Sequence, residues 1–91
     1  MLLKWSEYAR YKYTEQIKYI ALRNPNAAEE IEANIENTLN RILIYPHSGR
    51  IGRYPDTFEC LVNKTHLIIV YKIHKEVITV LNILHTAQDY P

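Results

Sequence analysis

Two arginines three positions apart, Arg50 and Arg53, stand in the segment from Tyr45 to Asp56, which holds both glycines and two of the four prolines and has the strongest turn chemistry of the chain. Guanidinium forks held in a turn could grip a phosphate. They could equally pair with Asp56, Glu59 or helix carboxylates and fix the turn. His85 carries the one side chain type that exchanges a proton near neutral pH, so it could serve as a general base. At the end of a strand-like run it reads first as an imidazole satisfied by a backbone carbonyl. Tyr90 is one of eight tyrosines, and plain packing accounts for it as well as chemistry does.

Other chemistries find no foothold. His47, His66 and His74 lie in loops or at strand ends without a spacing that would gather them around a metal, so no metal site is expected. There is no glycine-rich phosphate cradle and no serine nucleophile elbow, and no cofactor is implied. Cys60 is the single cysteine; it can make no intrachain disulfide, and beside Glu59 on a strand it reads as a small buried hydrophobe. A reducing cytoplasm fits that usage. Eleven Lys and Arg against ten Asp and Glu give a formal charge of +1, so bulk electrostatics draw the chain weakly to nucleic acid. The amino terminus lacks the pattern of a signal peptide, and no run reaches the ~18 apolar residues of a membrane span.

The elements that must position these residues can be read from periodicity. Met1 to Trp5 is apolar and suits a short strand, with Ser6 as a helix N-cap. Ala9, Tyr13, Ile17, Ile20 and Ala21 then recur at spacings of three and four, which predicts a half-buried helix ending near Leu22 or Arg23. Asn24-Pro25 supplies a second cap followed by a proline suited to a first helical position. Ala27, Ala28, Ile31, Ile35, Leu39, Ile42 and Leu43 carry the second helix until Pro46 stops it. Glu29 and Glu30 fall in its opening turn, where the helix dipole favours anions, and the remaining glutamates read as a solvated face.

Beyond the loop the residues become β-branched and aromatic, predicting strands at Thr57 to Val62, His66 to Ile73 and Val77 to Leu84. The breaks Asn63-Lys64-Thr65 and His74-Lys75-Glu76 are too short for a parallel crossover, so these strands form an antiparallel meander. Both faces of the last strand are mostly apolar, which makes it central and covered on both sides. At 91 residues, 47% hydrophobic and 23% charged, residues 1–91 are expected to form one domain. The expected class is α+β, order β-α-α-β-β-β, with a two-helix hairpin packed on a small antiparallel sheet.

Several strings taken in order carry a resemblance. Trp5-Ser6 and Ala9 open the first helix and Tyr19-Ile20 close it; Asn24-Pro25-x-Ala27-Ala28 opens the second. Pro46-x-x-Gly49-Arg50-x-Gly52-Arg53, Thr57-x-Glu59, Ile68-Ile69-Val70-Tyr71 and Ile83-Leu84-His85-x-x-Gln88-x-Tyr90-Pro91 follow. Together they resemble the RelE/ParE toxin superfamily, especially its ParE-like branch, over nearly the whole chain. One departure is Phe58, where ParE-like members often carry an arginine.

The resemblance implies a cytoplasmic toxin of a type II toxin–antitoxin, plasmid-stabilisation kind of module, wrapped and neutralised by a cognate antitoxin. On the ParE-like pattern the toxin arrests growth by inhibiting DNA gyrase without catalysis, with Arg50, Arg53 and Gln88 as target- or phosphate-binding groups. On the RelE-like pattern it is a metal-independent endoribonuclease acting on messenger RNA at the ribosome, with His85, Arg50, Arg53 and Tyr90 as catalytic groups. The scarcity of basic runs favours the first. A third reading, permitted by Phe58, is an inactive antitoxin-binding module. A homodimer and a toxin–antitoxin hetero-oligomer are both compatible with the sequence.

Overall fold

A computed structural model describes residues 1–86. The elements are β1 (Leu2–Trp5), α1 (Glu7–Arg23), α2 (Pro25–Ile44), a 3-10 turn (Pro46–Ser48), β2 (Arg50–Ile51), β3 (Phe58–Leu61), β4 (Leu67–His74) and β5 (Val77–His85). Local chemistry sets the helix boundaries. The Ser6 Oγ accepts from the Ala9 amide at 3.0 Å, satisfying one of the orphan donors at the start of α1. Asn24 serves two helices: its own amide donates to the Ile20 carbonyl at 2.8 Å and closes α1, while its Oδ1 accepts from Ala27 at 3.1 Å and opens α2, with Pro25 in the first turn. The first turn of α2 holds no acid. Glu29 and Glu30 therefore sit one turn further in than the sequence reading placed them, where the dipole's pull has largely fallen off.

The five strands lie in the order β1-β5-β4-β3-β2. Strands β3, β4 and β5 form the expected meander, with left-handed backbone at Lys64 (φ 62°) and Lys75 (φ 56°) in its two turns. Two features differ from a small antiparallel sheet. Strand β1 runs parallel to β5, with Leu3 opposite Ile78 and Trp5 opposite Val80, so the sheet is mixed. The glycine-flanked pair Arg50–Ile51 also adds a fifth strand, antiparallel to β3. Strand β5 is interior, between β1 and β4, and an irregularity at Val70/Tyr71 resets its pairing with β4.

Both helices cover one face. Ile35, Leu39 and Ile42 of α2 and Ala9 of α1 meet Val62, Leu67, Ile69, Tyr71, Ile78, Val80 and Ile83 of the sheet side in one core. At about 1.5–3 kcal/mol per fully buried aliphatic side chain, that face dominates stability. Ala9 is the only fully buried residue of α1; Tyr13, Ile17, Ile20 and Ala21 are half-buried. On the opposite face Ile68, Val70 and Leu84 form a smaller buried cluster against Leu81, so the central strands are apolar on both sides. The one buried helix hydroxyl, Thr38 Oγ1, donates to the Asn34 carbonyl at 2.7 Å.

Candidate functional site

The segment from Gly49 to Glu59 is pinned at both ends. The Tyr71 phenol is fully buried and cannot be left without a partner there. It donates to the Pro46 carbonyl at 2.8 Å and accepts from the Gly49 amide at 3.3 Å, which ties the 3-10 turn to the sheet. A Cβ on Gly49 would lie 2.6 Å from the Tyr71 Oη. At the other end the Gly52 amide donates to the Thr57 carbonyl at 2.8 Å, and a Cβ on Gly52 would collide with the Thr57 Oγ1. Thr57 itself donates from Oγ1 to the Tyr54 carbonyl at 2.7 Å. Asp56, in left-handed backbone at φ 60°, completes the turn.

Glu59 is the centre of this arrangement. Its side chain is 3% exposed, and it accepts from the Arg53 amide at 3.0 Å, Arg53 Nε at 2.9 Å, Arg53 Nη2 at 3.2 Å and Arg50 Nη2 at 3.3 Å. The side-chain hydrogen bonds from Arg53 outweigh the opposing effect of burial and, with its amide and charge and the bond from Arg50, hold the carboxyl down at about 2, so it stays ionised. Of the pairings open to the two arginines in the sequence, the one with Glu59 is realised for both. Arg53 is a forked, largely buried partner (side chain 25% exposed), whereas Arg50 remains 63% exposed.

Strand alternation decides what shares this face. Arg50 stands opposite Glu59 and Glu59 opposite Val70, which places the latch on the face away from the helices. A cleft of about 500 Å³ beside the latch is lined by Arg41 of α2 as well as by Ser48, Arg50, Glu59, Leu61 and Thr86, among others. Cys60 is buried, and its Sγ accepts from Arg41 Nη2 at 3.1 Å. Phe58 points the other way, stacked on Tyr71 (5.6 Å between centroids, 22° between planes) and edge-on to His47 (5.5 Å, 79°). An arginine at position 58 would thus enter an aromatic cluster under the helices, not the arginine cleft.

His85 pairs with Leu67 across the sheet, and Leu67 belongs to the helix-side core. It lines a different hollow, about 460 Å³, with Tyr8, Tyr11, Lys12 and Tyr19 of α1, and its ring lies 6.1 Å from that of His66. The structure brings Arg50 and Arg53 together and puts His85 on the opposite face. Gln88 and Tyr90 lie outside the described residues. Among the described residues no three His, Cys, Asp or Glu side chains gather as a metal site, and no helix is long and apolar enough to cross a membrane. The anchoring role of Tyr71 and the contact of Arg41 with Cys60 are not among the sequence expectations. A phenol inside the apolar run Ile68-Ile69-Val70 was a usable signal for Tyr71; Arg41, far from Cys60 in sequence, offered none.

Residues 3–90 match the family model described as the ParE toxin of the type II toxin–antitoxin system, parDE. The protein Y4kP of Sinorhizobium fredii (strain NBRC 101917 / NGR234) is 32% identical over 89 residues, covering 98% of this chain and 92% of its own. Among solved structures, the chromosomal ParDE system of P. aeruginosa superposes with a TM-score of 0.81 at 16% identity, covering 93% of this chain and 95% of that one. The intact E. coli RelBE toxin–antitoxin complex does so with a TM-score of 0.63 at 16% identity, covering 90% and 92%. These two likenesses concern the fold. By its family match and its relative, this chain belongs to the ParE toxin family of type II toxin–antitoxin systems, within the RelE/ParE superfamily.

Proposed function

We infer that the protein arrests growth in the cytoplasm by binding DNA gyrase as a non-catalytic inhibitor, and that a cognate antitoxin neutralises it. The observation that carries this reading is the Glu59 latch. Both loop arginines are engaged by one buried carboxylate, and the position where the ParE-like pattern often has a third arginine holds Phe58 in an aromatic stack. Charge set against charge in this way stiffens a loop; it does not assemble the several cations that phosphoryl chemistry needs around one phosphate. The rigid tip it produces presents Ile51 and Tyr54, 86% and 57% exposed, as apolar anchors of the kind protein interfaces use. The antitoxin partner is supported by the family and by the solved neighbours, which come from toxin–antitoxin systems. The test is inhibition of gyrase supercoiling by purified, folded protein; unimpaired supercoiling at stoichiometric excess overturns the reading.

The ribosome-dependent ribonuclease reading has one observation in its favour, the cleft in which Arg41 and Arg50 both face solvent-accessible space. It requires new 5′ ends within translated codons after induction, which primer extension would reveal. The separation of His85 from that cleft favours the inhibitor.

A further inference from the structure

Between β1, α1 and α2, on the helix side, lies a hollow of about 250 Å³ lined by Trp5, Tyr13, Glu32, Ile35, Glu36 and Leu39. The rings of Trp5 and Tyr13 meet edge to face at 5.3 Å. Ile35 and Leu39 are buried and give an apolar floor. Glu32 and Glu36 are exposed at the rim, and Glu32 Oε2 accepts from the Tyr13 hydroxyl at 3.3 Å. The lining contains no cation, and neither glutamate is in an ion pair among the described residues.

Such a pairing of groups is unfavourable in the free protein. Carboxylates at i and i+4 on one helix face repel each other, and these two lie mid-helix, where neither end of the α2 dipole compensates. The Tyr13 phenol registers the same field: burial first, and then the charges of Glu32 and Glu36, push its pKa up. A positive group seated against the indole would relieve the repulsion and gain the ring quadrupole as well.

We propose that this aromatic and acidic hollow receives an arginine side chain from the protein partner. The aliphatic stem would lie on Ile35 and Leu39, the guanidinium plane against Trp5, and the fork on Glu32 and Glu36. An arginine suits the hollow better than a free metal cation because the floor is apolar and only two carboxylates converge. The partner's identity as the antitoxin rests on the function proposed above; the pocket's preference for a guanidinium does not.

Trp5 is the chain's single tryptophan, so its emission reports the site directly. Titration with N-acetyl-arginine amide changes that emission saturably, at concentrations on the order of millimolar for so small a contact; the neutral N-acetyl-citrulline amide does not. The Glu32→Gln/Glu36→Gln variant, its fold checked by circular dichroism, loses the response. The same variant binds the antitoxin co-purified with the wild-type chain about tenfold more weakly, as loss of both carboxylate charges facing the guanidinium would produce, and the difference shrinks in high salt. No emission change, an equal change with citrulline, or an unweakened antitoxin complex overturns the inference. Growth arrest on expression of the chain alone tests the toxin reading separately. A chain that arrests growth but shows no Trp5 response overturns the pocket and leaves that reading standing.

Discussion

Glu59 holds the loop through one buried carboxylate that accepts four hydrogen bonds, three of them from the largely buried Arg53. Glu59→Gln keeps the shape but not the charge, and breaking a buried ion pair from one side costs about 3–5 kcal/mol. The exposure of Arg50 puts the expectation at the lower end. Urea unfolding at pH 7 measures it, and a loss under about 1 kcal/mol would mean that the latch contributes little. The same carboxyl gives the protein an acid limb. Its folded pKa of about 2 lies below the ordinary value of 4.5, so its contribution is complete above pH ~5 and is lost as pH falls through that interval toward 2. At 1.36 kcal/mol per unit, on the order of 3 kcal/mol disappears. Wild type should therefore weaken across this range more steeply than Glu59→Gln, when both are followed by chemical unfolding at a series of pH values. Gly52 is constrained by space alone: its Cβ would strike the Thr57 hydroxyl, so Gly52→Ala should cost about 1–3 kcal/mol, visible as a fall of several degrees in Tm.

At the scale of elements, the helices were legible because their stop and start signals are local. Ser6, Asn24 and Pro46 act within four residues of themselves, and the structure uses each as its chemistry suggests. Asn24 closes α1 with its backbone amide, which any non-proline residue keeps, and opens α2 with its side chain, so Asn24→Ala should lose about 1 kcal/mol, typical of a cap, and Asn24→Gly only a few tenths; thermal melts of the two variants side by side test the difference. The meander was legible for the same reason, since short polar breaks permit only hairpins. The parallel pairing of β1 with β5 was not: Leu2–Trp5 and Val77–Val80 are separated by most of the chain, and no local signal names a partner. Strand β2 is two residues long, too short to show any period, and its pairing depends on the Glu59 latch, which the sequence offered only as one option among several. Phe58 was recognised as a departure, but its orientation toward Tyr71 and His47 follows from register, which the sequence did not determine.

For the whole molecule, the sheet works as a partition. The packed faces of both helices, Phe58 and His85 belong to one side, and the Arg50–Arg53–Glu59 latch belongs to the other, although Arg41 of α2 reaches the cleft beside the latch. A strand residue such as His85, whose side chain points to one face, does not share a phosphate with strand residues that point to the other. A mechanism that uses His85 and the arginines on a single substrate is therefore at odds with the architecture, whereas an inhibitor needs only one face and a rigid tip. His85→Ala separates the two. If the chain acts by binding, removing an imidazole from the α1 hollow leaves growth arrest intact, while Glu59→Gln, which loosens the tip presenting Ile51 and Tyr54, lowers toxicity at matched protein levels. If the chain is a nuclease with His85 as its base, the order reverses, and His85→Ala loses about 10²–10⁴-fold in cleavage rate. Plating efficiency after induced expression, with soluble protein quantified in each culture, reads both variants in one assay. Loss of arrest in His85→Ala with its fold preserved would mean that the partition does not keep the two sets of residues apart in function.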